Sequence, residues 1–419
     1  MSTSMTAQEL QAYRMQQAAT NKAFLDNAML VPVIGSSLNG TSFTNTSPSS
    51  LKFQISGING AWLRKIRVQT SGSLTYTAAA TSPTCSVNAV GLDGIYSAVK
   101  LSYGSSYKPT LRPIVFSMLD QLRGYGRLRK QDPPIVSDDG SVITGAIYNN
   151  TNLKPGSALA AGTNNFLHTM DVPMQLLHPA HPSGMLPVDT TGTVFTIELV
   201  PNIQGLVGTD PLDNLVNTNG TVTLGTCTVT VTFYYSDGRT ITGTSYYQPD
   251  MTALPSAEFA EVTDQNIYAN QLVVQQLNLA LPIARLLSIV IDGESSSQFA
   301  QVQTPSNTTT GVSQYALLKG ANVNDAFISY DTNTGGVSNY YTDFRDRFGT
   351  DLPAGVFVHD GLTSLAVNPS NRNGVEYWNT SDGVWAAARQ GFKVAAVGSN
   401  GTPRVVTYAI VQNPAGIIK

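Results

Sequence analysis

An all-β protein built from two sandwiches is what this 419-residue chain predicts, on three observations. From Leu51 onward, short runs rich in Val, Ile, Thr and Tyr are separated by clusters of Gly, Pro, Asn and Asp, the composition of strands and the turns that join them. No regular alternation of strand and helix patterns appears, which argues against a doubly wound parallel sheet. The chain is also too long for one ordinary core and suits two domains of about 150 to 200 residues each.

The elements follow in order. Residues 6–29, "TAQELQAYRMQQAATNKAFLDNAM", are rich in Gln, Ala, Leu and Met and predict a helix. Thr6 and Glu9 form a capping box, and Leu10, Tyr13, Phe24 and Met29 make an interrupted apolar stripe. Pro32 and the Ser/Thr/Asn/Gly passage over 36–50 are expected to end that helix and act as a linker, so residues 1–50 read as an arm apart from the first core. Strand composition then marks "LKFQISG", "LRKIRVQTSGSLTYT", "AVKLSYG", "TVFTIELV", "TVTLGTCTVTVTFYY" and "LSIVID", with turns expected at Asp237-Gly238 and Asp292-Gly293. Two prolines in "YYQPDMTALPSAEF" place a domain boundary near Leu254. The first sandwich is thereby expected over 51–254 and the second over 255–419, the latter close in size to one eight-stranded sandwich with loops. A faint repeat relates the two halves: "HPSGMLPVD" (181–189) resembles "LPAGVFVHD" (352–360), with a short helix expected before each copy.

Charged residues make up 12% of the chain, about half the usual share, and the formal net charge is −3. Such a surface offers no field to gather nucleic acid or an anionic membrane, so direct genome binding is not expected. It does let copies pack closely without stranding many unpaired charges, which favours self-association. Cys85 and Cys227 are the only cysteines, too few for a disulfide scaffold, and are expected as free thiols. No basic-then-apolar leader opens the chain and no run of about 18 apolar residues occurs, so synthesis in the cytoplasm is expected. For that reason the Asn-x-Ser/Thr sequons at Asn39, Asn149 and Asn219 are given no weight.

Candidate chemistry is sparse. His178 and His181 have a metal-ligand spacing, but Pro179 and Pro182 prevent a helix from setting both rings on one face, and no metal site is expected. His359 beside Asp360, with Asp351 upstream, could serve acid–base roles, yet nothing identifies a nucleophile. A glycosidase carboxylate pair cannot be read from sequence, because its separation is a property of the folded site. "QLRGYGRLRKQ" (121–131) lacks the third glycine of a dinucleotide fingerprint, and its Arg123, Arg127, Arg129 and Lys130 read as ion-pairing or solvated charges. No catalytic residue, cofactor or metal is therefore expected.

"FRDRFGTDLPAGVFVHD" (344–360) and the following "AVNPSNRNGVEYW", with looser likeness in the Gln-rich arm and in "LPIARLLSIVIDG", resemble the major capsid protein of tectiviruses, icosahedral bacteriophages with an internal membrane. The resemblance implies a double jelly roll of two eight-stranded sandwiches with an N-terminal helical arm and short helices in loops. It implies homotrimers that act as pseudo-hexagonal tiles of a virion shell, with the internal membrane and the vertex and minor capsid proteins as further partners. The arm, through Leu10, Tyr13, Arg14, Lys22 and Phe24, would face the membrane or neighbouring trimers; Arg14 and Lys22 are its only basic residues. The charged helix would make subunit contacts through Asp343, Arg345, Asp346 and Arg347. The loop passages "TSPTCSVNAVGLDG" and "QTPSNTTTGVSQYALLKGANVNDAF" are expected to rise as outer towers. A trimeric phage spike or fibre, or a carbohydrate-binding β-sandwich protein, is the alternative.

Overall fold

The computed structural model describes residues 8–9, 12, 28–47, 49–55, 61–103, 109–122, 153, 155–174, 186–188, 194–240, 256–277, 283–293, 299–304, 306, 309–318, 326–331, 335–348, 352–360, 389–395 and 402–413. The first group of strands is β1 (Ala28–Ile34), β2 (Ser36–Ser37), β3 (Ser42–Phe43), β4 (Leu51–Ile55), β5 (Ala61–Thr77), β6 (Cys85–Val87), β7 (Tyr96–Tyr103), β8 (Thr110–Leu111), β9 (Gly162–Pro173), β10 (Leu186–Val188), β11 (Phe195–Pro201), β12 (Val216–Thr218), β13 (Thr221–Leu224) and β14 (Cys227–Thr240). One sheet runs β1-β14-β5 and then β9 and β10 along the same edge; the facing sheet runs β4-β11-β7-β8. Counting the eight principal strands in chain order, the sheets are 1-8-3-6 and 2-7-4-5, the interlocked Greek keys of a jelly roll.

The second group repeats that order without embellishment. Its strands are β15 (Ser256–Asn266), β16 (Leu272–Gln276), β17 (Ile283–Ile291), β18 (Val312–Leu318), β19 (Ala326–Tyr330), β20 (Val356–Asp360), β21 (Arg389–Val394) and β22 (Arg404–Asn413). They form one sheet β15-β22-β17-β20 and another β16-β21-β18-β19, again 1-8-3-6 and 2-7-4-5. The protein is thus a double jelly roll. Each roll also carries a helix between its fifth and sixth strands: α1 (Ile114–Leu122) in the first and α2 (Ser338–Phe348) in the second.

Alternation builds the cores. Residues of β4 and β11 are buried at every second position, and β14 alternates likewise over 227–234, as strands with one face on a core must. In the first roll Phe43, Tyr96, Phe195 and Phe233 fill the centre, with Phe195 and Phe233 edge to face at 6.2 Å. The second core is more aromatic: Tyr315, Tyr340, Phe357 and Phe392 have ring centroids 4.6 to 5.4 Å apart. Its buried polar groups close on one another, since Ser288 and Thr407 meet Gln275 and Gln390 across the two sheets.

Four expectations are corrected. The arm and linker do not extend to residue 50: Ala28–Ile34 is a strand paired with β14, and Ser36–Ser37 and Ser42–Phe43 pair with β4 and β14. Pro32, opposite Tyr234, does not break the strand because β1 is an edge, where a missing N–H is tolerated. Asp237-Gly238 makes no hairpin turn; it lies inside β14, where the register against β1 slips between Ala28 and Leu30, so the turn dipeptide is absorbed as a bulge. Residues 81–94 are no tower, for Val87, Asn88 and Asp93 are buried and Asn88 Nδ2 donates to the carbonyls of Gly208 and Asn214. Residues 303–327 likewise contain β18, an inner strand between β21 and β19.

Within the arm, Gln8, Glu9 and Ala12 are helical and exposed; Leu10, Tyr13, Arg14, Lys22 and Phe24 lie outside the described residues. So do Arg123, Arg127, Arg129, Lys130, His178, His181 and Asp351. Among the described residues no helix is long and apolar enough to cross a membrane.

Candidate functional site

The helices between the fifth and sixth strands are the elements that reach outward from each roll. α2 is held by its tyrosines: the Tyr340 hydroxyl donates to the Val358 carbonyl at 2.7 Å and accepts from the Val358 N–H, and Tyr341 accepts from the Gly355 N–H at 3.0 Å. Burial drives both phenols far above their ordinary range, so they stay neutral. Gly355 has φ +80°, and a Cβ there would lie 2.7 Å from the Ala300 nitrogen, so only glycine fits the turn that follows Pro353.

The sequence-predicted contact residues sit on this helix. Tyr330 donates to Asp343 at 3.0 Å, while Arg345 and Asp346 are exposed. Asn339, Thr342, Arg345 and Asp346 share one face at helical spacing, opposite the buried Tyr340 and Phe344. Arg347 belongs to the same helix.

α1 occupies the equivalent place in the first roll but has no such open face: Ile114, Val115, Phe116, Ser117, Met118 and Leu119 are all buried. Its outer side meets the second roll. Phe116 stands edge to face with Phe259 of β15 at 5.6 Å. Arg112, just before the helix, donates through Nε to Asp213 at 2.8 Å, through Nη2 to Asp264 at 2.7 Å and through Nη1 to the Tyr408 hydroxyl at 3.1 Å. Arg404 returns the contact from β22, with Nη2 3.0 Å from Asp213 and 3.2 Å from Asp210. Burial alone would lower the Arg112 pKa, but Tyr408, Asp213 and Asp264 outweigh it and hold the guanidinium charged. These six residues clamp one roll to the other.

Sequence reasoning missed this clamp. Its partners are 101 to 296 residues apart in the chain. The available signal is local: in a chain with few charges, Arg112 stands beside Pro113 just before the apolar start of a helix, and Arg404 is the one charged residue of its strand.

The arrangements nearest to catalysis do not form a reacting centre. His168 Nε2 lies 3.3 Å from Asp93 Oδ1, and Ser117 Oγ donates to Asp93 Oδ2 at 2.7 Å, all three buried. The serine is bonded to the carboxylate rather than to the imidazole, so the histidine is not placed to take its proton. His359 is half-buried on β20 opposite Leu286. Among the described residues no group of three or more His, Cys, Asp or Glu could hold a metal. Cys85 and Cys227 are free and buried; burial pushes the Cys227 thiol up to about 12.

No protein-family model matches the chain, and no curated protein matches it. Solved structures do. The fold is similar to the STIV major capsid protein, with 14% identity over 92% of this chain and 97% of that one, at a TM-score of 0.52. It is similar to a chain of the atomic structure of Sulfolobus turreted icosahedral virus, with 13% identity over 92% and 90% and a TM-score of 0.52. PBCV-1 VP54, as fitted into a reconstruction of the virophage Sputnik, gives 13% identity over 92% and 94%, also with a TM-score of 0.52. At such identities the likeness is one of fold, and it spans both jelly rolls.

Proposed function

We propose that the chain is the major capsid protein of an icosahedral virus, a non-enzymatic structural protein that assembles as homotrimeric tiles of the virion shell. The observation that carries this reading is the pair of clamped jelly rolls, a fold similar to the STIV major capsid protein over 92% of this chain. The low charge of the chain supports close packing of copies. Likeness to tectiviruses in residues 344–360 further favours a bacteriophage with an internal membrane. On that reading the arm, with Leu10, Tyr13, Arg14, Lys22 and Phe24, meets the membrane or neighbouring trimers. Vertex and minor capsid proteins are the remaining partners, and the genome is not contacted directly.

Size-exclusion chromatography with light scattering tests the core of the proposal. A particle of three 44.6 kDa chains is expected, and a protein that stays monomeric at every concentration overturns it. Flotation with phospholipid vesicles tests the membrane role: the full chain should float, and a variant lacking residues 1–27 should not.

A further inference from the structure

At one end of the first roll three connections meet: those joining its third strand to its fourth, its fifth to its sixth and its seventh to its eighth. They are pinned together as a small sheet of their own. β6 pairs with β12, Ser86 bridges to Ala158, and the Leu159 N–H donates to the Cys85 carbonyl at 2.9 Å. Asn219 closes the corner, accepting from the Thr84 N–H at 2.9 Å and donating to the Ser82 carbonyl at 2.8 Å. Between them the three connections wall an open cavity of about 690 Å3, within the size range of small-molecule sites.

The lining has two characters. Ala78, Pro83, Cys85 and Leu159 are apolar, and burial raises the Cys85 thiol, which therefore stays protonated. Ser86, Asn217, Thr218 and Asn219 bring hydroxyls and carboxamides, and none of the lining residues is charged. Tyr76 lines the cavity as well, and its hydroxyl is buried with no hydrogen-bond partner among the described residues. A phenol hydroxyl held out of water without a partner costs free energy that a bound ligand would recover. Gly220 lets the seventh-to-eighth connection lie on this ring, since a Cβ there would stand 2.7 Å from Tyr76 Cε2.

Absence of charge in the lining decides the class of ligand. A phosphate, carboxylate or ammonium group would shed its hydration here and find no counter-charge. A purely apolar ligand would leave the Tyr76 hydroxyl unpaired. A neutral saccharide suits both halves of the lining: its C–H faces pack on small apolar residues, and its hydroxyls donate to and accept from hydroxyls and carboxamides.

We propose that this cavity is a binding site for a neutral saccharide, with Tyr76 supplying its buried hydrogen-bonding hydroxyl. The inference needs only the first roll and does not rest on the trimer reading.

The test applies the biotinylated full chain to an array of neutral, sialylated and sulfated glycans. Neutral glycans should be retained and the anionic ones should not. The neutral glycan retained most strongly should then raise the melting temperature of the wild type. Ala78→Trp and Ala161→Trp, at exposed positions on the rim, should fill the cavity, keep the wild-type melting curve and abolish both retention and shift. Tyr76→Phe should melt no lower than wild type when empty, because no partner is lost, and should bind about five- to tenfold more weakly. Retention of no neutral glycan, a preference for anionic glycans, or undiminished binding by both filled variants overturns the site. A lower melting temperature of empty Tyr76→Phe overturns the role given to its hydroxyl. Light scattering on the same preparations reads assembly separately: a monomer that binds through this cavity overturns the trimer reading and leaves this inference standing.

Discussion

The first and second rolls share a strand order but not a surface. In the second roll's β15-β22-β17-β20 sheet, β17 and β22 are buried on both faces over 285–291 and 405–411, with Arg285, the clamp residues Asp264, Arg404 and Tyr408 and the inner quartet around Gln390 as its polar groups. The first roll's β1-β14-β5 sheet keeps the alternation of a half-solvated sheet, with threonines at positions 228, 230 and 232 facing out. The difference separates a sheet covered within the chain from one whose outer side is open. A face covered by the same chain can be apolar, because it is never exposed after folding. One covered by another copy must remain soluble until that copy arrives.

The largest effect should come from the edge of the open sheet. Because β1 is the first principal strand of its roll, removing residues 1–34 strips β14 of its outer partner and exposes Phe233 at the edge. Removing residues 1–27 takes away no described strand. The shorter deletion should retain the wild-type melting curve. The longer one should leave the first roll unfolded while the second roll still melts cooperatively, with a correspondingly smaller enthalpy in differential scanning calorimetry. Equal melting of the two deletions would show that β1 is not integral to the roll.

This strand also marks the limit of what the sequence revealed. Strand composition, the helix ahead of Pro353 and the turn at Asp292-Gly293 are all legible, since each depends on neighbours in the chain: Gly293 has φ +76° two residues after β17 ends at Ile291. β1 was hidden because a Gln- and Ala-rich segment runs into it and Pro32 reads as a breaker unless its edge position is known. Asp237-Gly238 has the local chemistry of a turn and of a bulge alike, and only the partner strand β1 decides between them. Asp93, buried between Ser117 and His168, carried no local signal at all.

The clamp should rank second. Arg112→Met removes the bonds to Asp213, Asp264 and the Tyr408 hydroxyl and leaves Arg404 as the clamp's one cation beside the two carboxylates. With these side chains 21% to 39% exposed, the cost is about 2 kcal/mol, below that of a fully buried pair. More telling than the size is the shape of the transition. If the clamp couples the rolls, urea unfolding of the variant should split into two steps where the wild type shows one. A single unchanged step would place the coupling elsewhere, in the Phe116–Phe259 contact.

The smallest effect concerns the charges on the open face, and pH separates it from the others. Asp171 accepts from Arg67 Nε at 2.8 Å and Nη2 at 2.9 Å and from Lys65 at 3.2 Å. Burial works to raise its pKa, but the Arg67 hydrogen bond and the two nearby cations outweigh burial and hold it below 3.8. A carboxylate depressed in the folded state contributes stability that is complete above its unfolded pKa and is lost as pH falls through the folded value. Asp171→Asn should therefore cost about 1 kcal/mol near neutral pH, with the difference from wild type shrinking as pH falls below the ordinary aspartate range and through the depressed folded value. Thermal melts across that range measure it, on protein diluted until light scattering shows monomer. If the face is an interface, the same substitution in the trimer should cost more, because a covered Arg67 and Lys65 would lose their counter-charge away from water. Equal costs in monomer and trimer would mean that these charges stay solvated in the assembly.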